Sequence, residues 1–594
     1  MYNRMTTHSL TLIFLISAVL IEARCPTNCS CYLDLRGRKS VECKEGGMSG
    51  PLSLTEMETS VQVLRITAPD DNLNALTMSP NIRTFTNLEE IHITKSNVPI
   101  LGQHFFYGLK RLLILDLSQN NITQPLDHNF NGLNFLQELY LDDNRIYSLP
   151  SGTFRYLKEL RILSIQRNKM QEMPPSVFQQ LDKLQELKIS GNLFGVLSPE
   201  VFKDIKGLRK LECRACGLSS IDQEIYKLIP DLIHLDLGEN NLKQISPNEY
   251  DYLTKLKSLK LDGNQIHRLT GPHFQTLWEL RKLNLAKNEF KEISRGAFKN
   301  LTKLNEIDLS FNDFEKIDSD IFQPFENSLE KLILNGNHLR PYKIKQLVQN
   351  LKVLKNLQLS ECGLTDFEEE NFVPETLLTL NLAGNYLSMI PPESIPYSLI
   401  ELDLSKNRFK GFREEVMQRI ENTPKLKLDF NPWSCDLCYI FPLISRVNKS
   451  EIIRNLRCAS PFHFENKQLG SIRTEELNWC STPTYQPTDA NLFFLGDENK
   501  VGIIAAGASV VLLVLTILSI LGALIYSRRH AAKYYTHEEK RSPERESIFE
   551  NQTPLFDDKE LSFKFPLDPP VKKISIATID ELKKEQDLLQ ANGT

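Results

Sequence analysis

A fixed period of 24 residues organises the middle of the chain. The pattern Leu112-x-x-Leu115-x-Leu117-x-x-Asn120 begins again 24 residues later at Leu136. The residue that closes each unit steps by 24 positions through ten units and by 22 to 25 through four more. The closing residues are Ser96, Asn120, Asn144, Asn168, Asn192, Cys216, Asn240, Asn264, Asn288, Asn312, Asn337, Cys362, Asn385 and Asn407. Such a period indicates a stack of copies of one small structural unit.

Positions are numbered from the first leucine of Leu-x-x-Leu-x-Leu-x-x-Asn, so that Leu112 is position one of its unit. The side chains at positions four and six of each unit face the same way. Alternate side chains of a short strand lie on one face, so Leu115 and Leu117 point toward one core. One unit cannot bury this face alone, but stacked units bury it against their neighbours. We expect the closing asparagine to turn inward and to satisfy backbone groups where the chain leaves the strand. Losing one such buried partner costs about 1–3 kcal/mol. Cys216 and Cys362 occupy this column in two units.

An aromatic column keeps the same 24-residue phase. Its members are Phe106, Phe130, Phe154, Phe178, Phe202, Tyr226, Tyr250, Phe274, Phe298 and Phe322. A ligand-binding stripe and a packed spine are both consistent with such a column. We predict a spine behind the strands, because stacked units need a continuous core.

Composition and motifs argue against several functions. The formal net charge of -5 does not suit a nucleic-acid binder with a basic surface. The 11 histidines are scattered, and the sequence has no glycine-rich phosphate loop and no recognised nucleophile motif. Because a repeat protein uses nearly all its residues for the repeat, we predict no enzyme activity, catalytic residue, cofactor or metal site.

The repeat resembles the leucine-rich repeat over about 370 residues, 61–430. This resemblance implies an α/β fold, a right-handed solenoid of about 14–16 repeats with a disulfide cap at each end. Residues 24–60 are similar to the family's N-terminal cysteine cap, and residues 431–480 to its C-terminal cap. The implied pairs are Cys25–Cys31, Cys29–Cys43, Cys435–Cys458 and Cys438–Cys480. Sequence alone allows three connectivities in each cap.

The cysteines leave two further questions. Four thiolates in the C-terminal cap could hold zinc, but a secretory, oxidising compartment favours disulfides. Cys213, Cys216 and Cys362 lie at inward positions of repeats, where we expect inert buried thiols.

The two ends of the chain predict secretion and membrane anchoring. Residues 1–23 are typical of a signal peptide, with the apolar run Leu10–Ile21. Residues 501–526 are uncharged and long enough for one transmembrane helix, and Arg528 and Arg529 follow them. Positive charge on the C-terminal side predicts a type I single-pass plasma-membrane protein with an extracellular N-terminus.

Smaller sequence features follow from this layout. Residues 481–500 would form a stalk, and residues 527–594 a largely disordered cytoplasmic tail that could bind an adaptor. In the tail, Ser542 and Thr553 are candidate phosphorylation sites. The predicted glycosylation sites are Asn28, Asn121, Asn300 and Asn448.

The candidate ligand-binding surface is the concave face of the sheet. Its outward positions carry both charge signs, which suits a protein ligand better than a lipid or a polyanion. Tyr140 is the candidate anchor, since tyrosine is enriched in binding hot spots, whereas Phe311 belongs to an ordinary repeat variant. The candidate basic cluster comprises Lys188, Arg209, Lys210, Lys257, Lys260, Arg281 and Lys282. With acidic residues interleaved, this cluster is either a solvated strand face or a docking patch for an acidic protein or a glycosaminoglycan.

In layout the chain resembles extracellular leucine-rich-repeat single-pass proteins. It is similar to Toll-type ectodomains without a TIR domain, and to adhesion receptors of the capricious and tartan kind without an immunoglobulin domain. The resemblance implies a cell-surface recognition or adhesion receptor in development or cell–cell signalling. Its partner would be a protein, a second copy of itself included, bound through the concave face. The alternatives are a non-signalling co-receptor or decoy and, remotely, an intracellular scaffold associated with germline granules; the predicted cap disulfides weigh against this scaffold.

Overall fold

The computed structural model describes residues 25–478, except residues 53, 55, 79, 270, 295, 313, 315–316 and 366–372. The predicted signal peptide, stalk, transmembrane helix, tail and tail phosphorylation sites lie outside the described residues, as does Cys480. None of the helices in the described part of the chain has the length and apolar character needed to cross a membrane.

Within the described residues, eighteen strands form one sheet in chain order. The first two pair as an antiparallel hairpin, and every later strand lies parallel to the one before it. The strands are Ser30–Leu33, Lys39–Cys43, Val63–Ile66, Glu90–Ile93, Ile114–Asp116, Glu138–Tyr140, Ile162–Ser164, Glu186–Lys188, Lys210–Glu212, His234–Asp236, Ser258–Lys260, Lys282–Asn284, Glu306–Asp308, Lys331–Ile333, Asn356–Gln358, Thr379–Asn381, Glu401–Asp403 and Lys425–Lys427. Sixteen of these described strands fall within the predicted repeat region, in agreement with the expected 14–16 repeats.

The return paths between strands contain little helix. The described α-helices are Gln223–Leu228, Pro341–Val348, Glu414–Ile420, Leu437–Ile444 and Glu451–Asn455. The described 3-10 helices are Pro80–Thr84, Asp127–Asn129, Pro199–Val201, Ser319–Phe325, Pro392–Ser394, Phe462–Phe464, Leu469–Ser471 and Thr474–Glu476. Two small parallel pairs complete the described elements: Ser49–Pro51 with Ala75–Thr77, and Arg268–Leu269 with Glu292–Ile293. A 24-residue unit leaves little length for a helix after its strand and two connections, so the helical part of the expected α/β class is small.

The closing asparagines form the inward hydrogen-bond ladder that the sequence predicts. Asn144 Nδ2 donates to the carbonyls of Leu117 and Leu141 at 3.0 and 3.1 Å, in the preceding repeat and in its own. Its Oδ1 accepts the Ile122 N–H at 3.0 Å. The Leu117 carbonyl also accepts from Asn120 at 2.9 Å, so this position-six carbonyl is reached by two amides.

The aromatic column is a buried spine, which confirms the prediction of core packing. Phe154, Tyr250, Phe274 and Phe298 have no exposed surface. Successive rings stack, with centroids 6.0 Å apart for Tyr250 and Phe274 and 6.2 Å apart for Phe274 and Phe298. A column without exposed surface cannot be a ligand-binding stripe.

Disulfide-bonded caps close the two ends of the repeat stack. The pairs present are Cys25–Cys31, Cys29–Cys43 and Cys435–Cys458, as the resemblance implied. Cys438 is also disulfide-bonded, and its implied partner lies outside the described residues. The ends of a solenoid would otherwise expose apolar core, and buried Val41 and Trp433 lie in these caps at 2% exposure each.

One prediction about the remaining cysteines is wrong. Cys213 and Cys216 are joined in a disulfide instead of being free thiols. They occupy positions six and nine of one repeat, which both point inward and place the two Cα atoms 5.6 Å apart, within disulfide range. Cys362 has Leu359 at the corresponding position and stays a free thiol. Burial raises the pKa of Cys362 to about 12, which suits the predicted inert role.

Candidate ligand-binding face

The strands present their first and third residues on one face. In Glu138–Tyr140, Leu139 is fully buried while its two neighbours are partly exposed. Equivalent residues align across the sheet, as Tyr140 aligns with Ser164. Side chains of one repeat position therefore form a column with a spacing of about 4.8 Å.

Four cations of the predicted basic cluster are held in ion pairs. The pairs, with N–O distances, are Lys188–Glu186 (3.6 Å), Lys210–Glu212 (2.8 Å), Lys260–Asp236 (3.0 Å) and Lys282–Glu306 (2.9 Å). For these four lysines the geometry favours the solvated strand face over a docking patch, because neighbouring carboxylates already compensate their charge.

The other three cations of the cluster differ. Arg209, Lys257 and Arg281 are exposed, and none forms an ion pair within the described part of the chain. All three occupy position two, directly before a strand. The structure thus divides the predicted cluster into paired lysines on the concave face and free cations along its edge.

Tyr140, the predicted anchor, is partly held by its neighbours. Its hydroxyl donates to Glu138 Oε2 at 2.8 Å. Burial, together with the Glu138 carboxylate, raises the pKa of the Tyr140 phenol. The ring is half-buried, so Tyr140 offers less free surface than the sequence suggested.

Charged side chains form a closed network at the N-terminal end of the sheet. His92 lies 3.6 Å from Glu90 and 3.4 Å from Asp116. Arg38 and Arg65 reach the same Glu90 carboxylate at 2.6 and 3.1 Å. Burial acts to raise the pKa of Asp116, but hydrogen bonds, that from His92 first, outweigh it and lower the pKa. These groups compensate one another and leave little free charge for a ligand.

A cavity of about 410 Å³ opens on the concave face in the C-terminal half of the repeats. Phe311, which is 44% exposed, and Ile333 supply its apolar surface. The Phe311 N–H donates to the Asn335 carbonyl at 2.6 Å. A Cβ atom at Gly336, the equivalent position of the next repeat, would collide with the Phe311 ring. Glycine at that position therefore lets the ring lie over the neighbouring repeat.

Polar groups surround this apolar surface. Lys331 pairs with Glu306 at 2.8 Å at one side of the cavity. Asp308 accepts the Ser310 N–H at 2.9 Å, and burial raises the pKa of Asp308. The cavity thus combines an exposed aromatic ring, an aliphatic side chain and groups of both charges.

Sequence reasoning did not select Phe311, which belongs to an ordinary repeat variant, or Ile333, which is one member of the outward column. One signal could have found the cavity. Phe311 and Gly336 occupy equivalent positions of adjacent repeats, and this pairing of an aromatic residue with glycine indicates a ring that needs room.

Comparison with known families agrees with this geometry. The leucine-rich-repeat profile matches the chain at residues 86–146, 134–194, 158–218, 206–266 and 279–339. The repeats at these residues are leucine-rich repeats. The chain's repeats are 31% identical to Protein toll of Drosophila melanogaster over 120 residues, which is 19% of this chain and 11% of that protein. The chain therefore spans about a tenth of the length of the curated relative that it matches.

Two solved structures have a similar repeat fold. A leucine-rich-repeat protein of Leptospira interrogans is 27% identical with a TM-score of 0.50, over 60% of this chain and 91% of that one. The Toll–Spatzle complex of Drosophila, in its glycosylated form, gives 22% identity and a TM-score of 0.50, over 71% of this chain and 59% of that one. At 22% identity the second likeness shows a shared repeat fold.

The predicted glycosylation sites lie away from position two. Asn121 follows a closing asparagine at the far end of its strand, and Asn300 lies behind the sheet, two residues after Phe298. Asn28 and Asn448 lie in the caps, and all four side chains are at least partly exposed. The described residues contain no group of histidine, cysteine, aspartate or glutamate side chains that could hold a metal ion.

Proposed function

We propose that this chain is a cell-surface recognition receptor that binds a protein ligand through its concave face. Its role would be in adhesion or in signalling between cells during development. The observation that carries the proposal is the cavity around Phe311 and Ile333.

The chemistry of the concave face supports a protein ligand. Most of its charged side chains are engaged in ion pairs within or between repeats, such as Lys210 with Glu212 at 2.8 Å and Lys260 with Asp236 at 3.0 Å. The cavity interrupts this surface with an exposed ring, and protein interfaces concentrate their binding energy on aromatic anchors in partly closed pockets. A volume of about 410 Å³ can take one or two ligand side chains. Toll in the similar structure is in complex with Spatzle, and we propose the same general mode for this chain.

Placement at the cell surface rests on the sequence. The predicted signal peptide and the apolar residues 501–526 support an extracellular ectodomain on a single-pass protein. Disulfides in both caps support an oxidising compartment. Labelling of intact cells with a membrane-impermeant amine reagent tests this placement. Full-length chain that is labelled only after the cells are permeabilised would contradict it and favour the intracellular scaffold.

The binding function is tested by mixing two differently coloured cell populations, of which one displays the full-length chain. Clustering among displaying cells indicates that the partner is a second copy. Clustering of displaying with non-displaying cells indicates a separate surface ligand. If the displaying cells cluster with neither population, adhesion is wrong, and a co-receptor that acts on a partner in its own membrane becomes the better account.

Variants connect the result to the cavity. Phe311→Ala is expected to reduce clustering at least tenfold, because truncating a central anchor costs roughly 2 kcal/mol or more. Phe135→Ala is the matched control, since Phe135 is 58% exposed and does not line the cavity. Equal loss in both variants would contradict a role for the cavity.

A further inference from the structure

We propose that the edge of the sheet at which the strands begin binds a linear sulfated polysaccharide through Arg161, Arg209, Lys257 and Arg281. These four residues are called the rim column below. This binding site is separate from the concave cavity proposed for the protein ligand, and it does not depend on that proposal.

The rim column is a continuous line of one repeat position. Position two carries no carboxylate in seven consecutive repeats, which have Arg161, Gln185, Arg209, Ile233, Lys257, Arg281 and Asn305. All four cations are exposed. From Arg161 to Arg281 there are five strand steps, or about 24 Å at 4.8 Å a step.

Backbone hydrogen bonds fix the spacing of this line. The Arg209 carbonyl accepts the N–H groups of Ile233 and His234 at 2.7 and 3.0 Å. The Lys257 carbonyl likewise accepts from Arg281 and the residue after it, at 2.9 and 3.0 Å. Each position-two residue is thereby tied to the next repeat, so the cations stand at intervals set by the sheet and their spacing is preorganised for a regular ligand.

The rim column differs from Lys183, Lys255 and Lys303, which lie two positions earlier in their repeats. Those lysines bind the carboxylate at the same position of the preceding repeat: Lys183 with Glu159 at 2.5 Å, Lys255 with Asp231 at 2.6 Å, and Lys303 with Glu279. Their charges cancel in pairs. No member of the rim column has an ion-pair partner among the residues that the structure describes, so its charge is available to a ligand.

The acidic groups that face the rim column do not neutralise it. Glu279 is close, but the hydrogen bond from Lys303 is the main cause that lowers its pKa, with smaller contributions from Lys257 and Arg281. His234 lies on the strand between the cations. Burial is the main cause that lowers its pKa; Lys210 and Lys257 act in the same direction, and Glu186 and Glu212 oppose them.

The shape and chemistry of the site favour a polysaccharide over an acidic protein. Protein interfaces have an apolar core with aromatic anchors, whereas the only apolar residue in these seven column positions is the half-buried Ile233. A single line of cations suits a flexible polymer with anionic groups at intervals. Arginine binds such oxyanions with two parallel N–H groups, which makes Arg161, Arg209 and Arg281 suited to sulfate. The predicted glycans at Asn121 and Asn300 lie elsewhere on the repeats and would leave this edge open.

The test uses the purified full-length chain and immobilised heparin as the sulfated polysaccharide. The rim variant is Arg209→Gln, Lys257→Gln and Arg281→Gln combined. The matched control is Lys183→Gln, Lys255→Gln and Lys303→Gln, which removes the same number of charges from ion-paired lysines of the same edge. Both sets are exposed, and a thermal unfolding curve checks that each variant is folded.

Wild-type chain is expected to bind heparin at physiological salt, and the rim variant to lose roughly tenfold or more in affinity. The slope of log affinity against log salt should fall by about 3, one for each cation removed, as for other dense linear polyanions. The control should stay within about twofold of wild type, since its lysines are already compensated. Phe311→Ala should bind heparin as wild type does, which separates this site from the concave cavity.

Three results would overturn the proposal. The first is no binding of wild-type chain to heparin. The second is equal loss in the rim and control variants, which would indicate a general charge effect. In the third, poly-glutamate or chemically desulfated heparin binds as tightly as heparin. Tight binding of poly-glutamate would identify an acidic protein segment as the partner instead.

Discussion

Two stretches of the repeat stack share the same strand arrangement and 24-residue period but differ in the polar atoms that they bury. From Leu112 to Phe202 the spine is phenylalanine throughout and the closing ladder is asparagine. In the repeats that follow, Tyr226 and Tyr250 replace phenylalanine, and Cys216 replaces asparagine. Both stretches bury these positions, each at 9% exposure or less. The comparison therefore isolates what a polar atom costs inside a leucine-rich-repeat core.

The tyrosine stretch contains polar groups that its neighbours do not satisfy. The hydroxyls of Tyr226 and Tyr250 have no hydrogen-bond partner among the described residues. Beside them, Glu249 is 6% exposed and accepts the Ser246 N–H at 2.7 Å. Burial raises the pKa of Glu249 to about 7. A repeat held by neighbours on both sides can retain such groups, because stability is shared across the stack.

The cysteine in the ladder is tolerated for a different reason. Cys216 Sγ lies 3.6 Å from the Ile189 carbonyl, but a disulfide sulfur has no hydrogen to donate. That carbonyl still accepts from Asn192 at 2.9 Å, and the Cys213 carbonyl accepts from Asn240 at 2.8 Å. Neighbouring asparagines donate to the same carbonyls. The carbonyls of Ile189 and Cys213 therefore each keep one hydrogen-bond donor, although Cys216 has no side-chain amide.

The largest expected effect comes from removing a ring of the phenylalanine stretch. Phe154→Ala should lower the free energy of unfolding by about 3–5 kcal/mol, through lost burial and the cavity left behind. Chemical denaturation of wild type and variant measures this difference. Phe135→Ala, at a site 58% exposed, should change it by about 0.5 kcal/mol or less. Similar losses in both variants would show that the spine is not the core of the stack.

The next effect is a pH dependence specific to the tyrosine stretch. Glu249 has a pKa of about 7 in the folded chain against an ordinary value of 4.5. Between these values the folded state keeps a proton that the unfolded state loses, so the free energy of unfolding falls as pH rises. The stabilisation is complete below pH 4.5 and is lost above about pH 7, a change of about 3 kcal/mol.

Glu249→Gln isolates this contribution, because other titrating groups are common to both chains. His273 acts in the opposite direction, since burial lowers its pKa and the stability that it contributes falls as pH drops below 6.5. Denaturation curves from pH 4.5 to 8 should therefore show wild type losing stability relative to the variant. Parallel curves would mean that Glu249 is not protonated in the fold.

A smaller effect tests the ladder of the regular stretch. Asn144→Ala removes two donors and one acceptor from buried backbone groups and should cost about 1–3 kcal/mol. Asn241→Ala is the control, because Asn241 is an exposed residue directly after a ladder asparagine. Denaturation midpoints measure both. A loss at Asn144 no larger than at Asn241 would contradict a structural role for the ladder.

The smallest expected effect comes from exchanging tyrosine and phenylalanine between the two stretches of the spine. Tyr250→Phe removes a buried hydroxyl without a partner and should stabilise the chain by about 1 kcal/mol. The reciprocal change, Phe154→Tyr, should destabilise it by about 1–3 kcal/mol. Melting temperatures of the two variants should shift in opposite directions. A loss of stability in Tyr250→Phe would indicate that this hydroxyl has a favourable role.

The repeat could be predicted in detail because each contact recurs with the period. Leu115, Asn120 and Phe130 each mark a column whose place in the core follows from local alternation and stacking. The binding surfaces could not be predicted in the same way. Tyr140 looked free in the sequence but is held by Glu138 at 2.8 Å, and Phe311 looked ordinary but lines the concave cavity. Both outcomes depend on neighbours in space that vary from repeat to repeat.

The sequence by itself determined the period, the inward and outward columns, the spine and the ladder. Only the tertiary structure decided which of two similar cations is free, as Lys260 and Lys257 illustrate. Lys260 meets Asp236 at 3.0 Å, whereas Lys257 has no ion-pair partner among the described residues. The physical reason is the distance over which each kind of interaction acts. Burial follows from a pattern repeated in every unit, but an ion pair, a disulfide or a cavity depends on individual side chains meeting within a few ångströms across neighbouring positions.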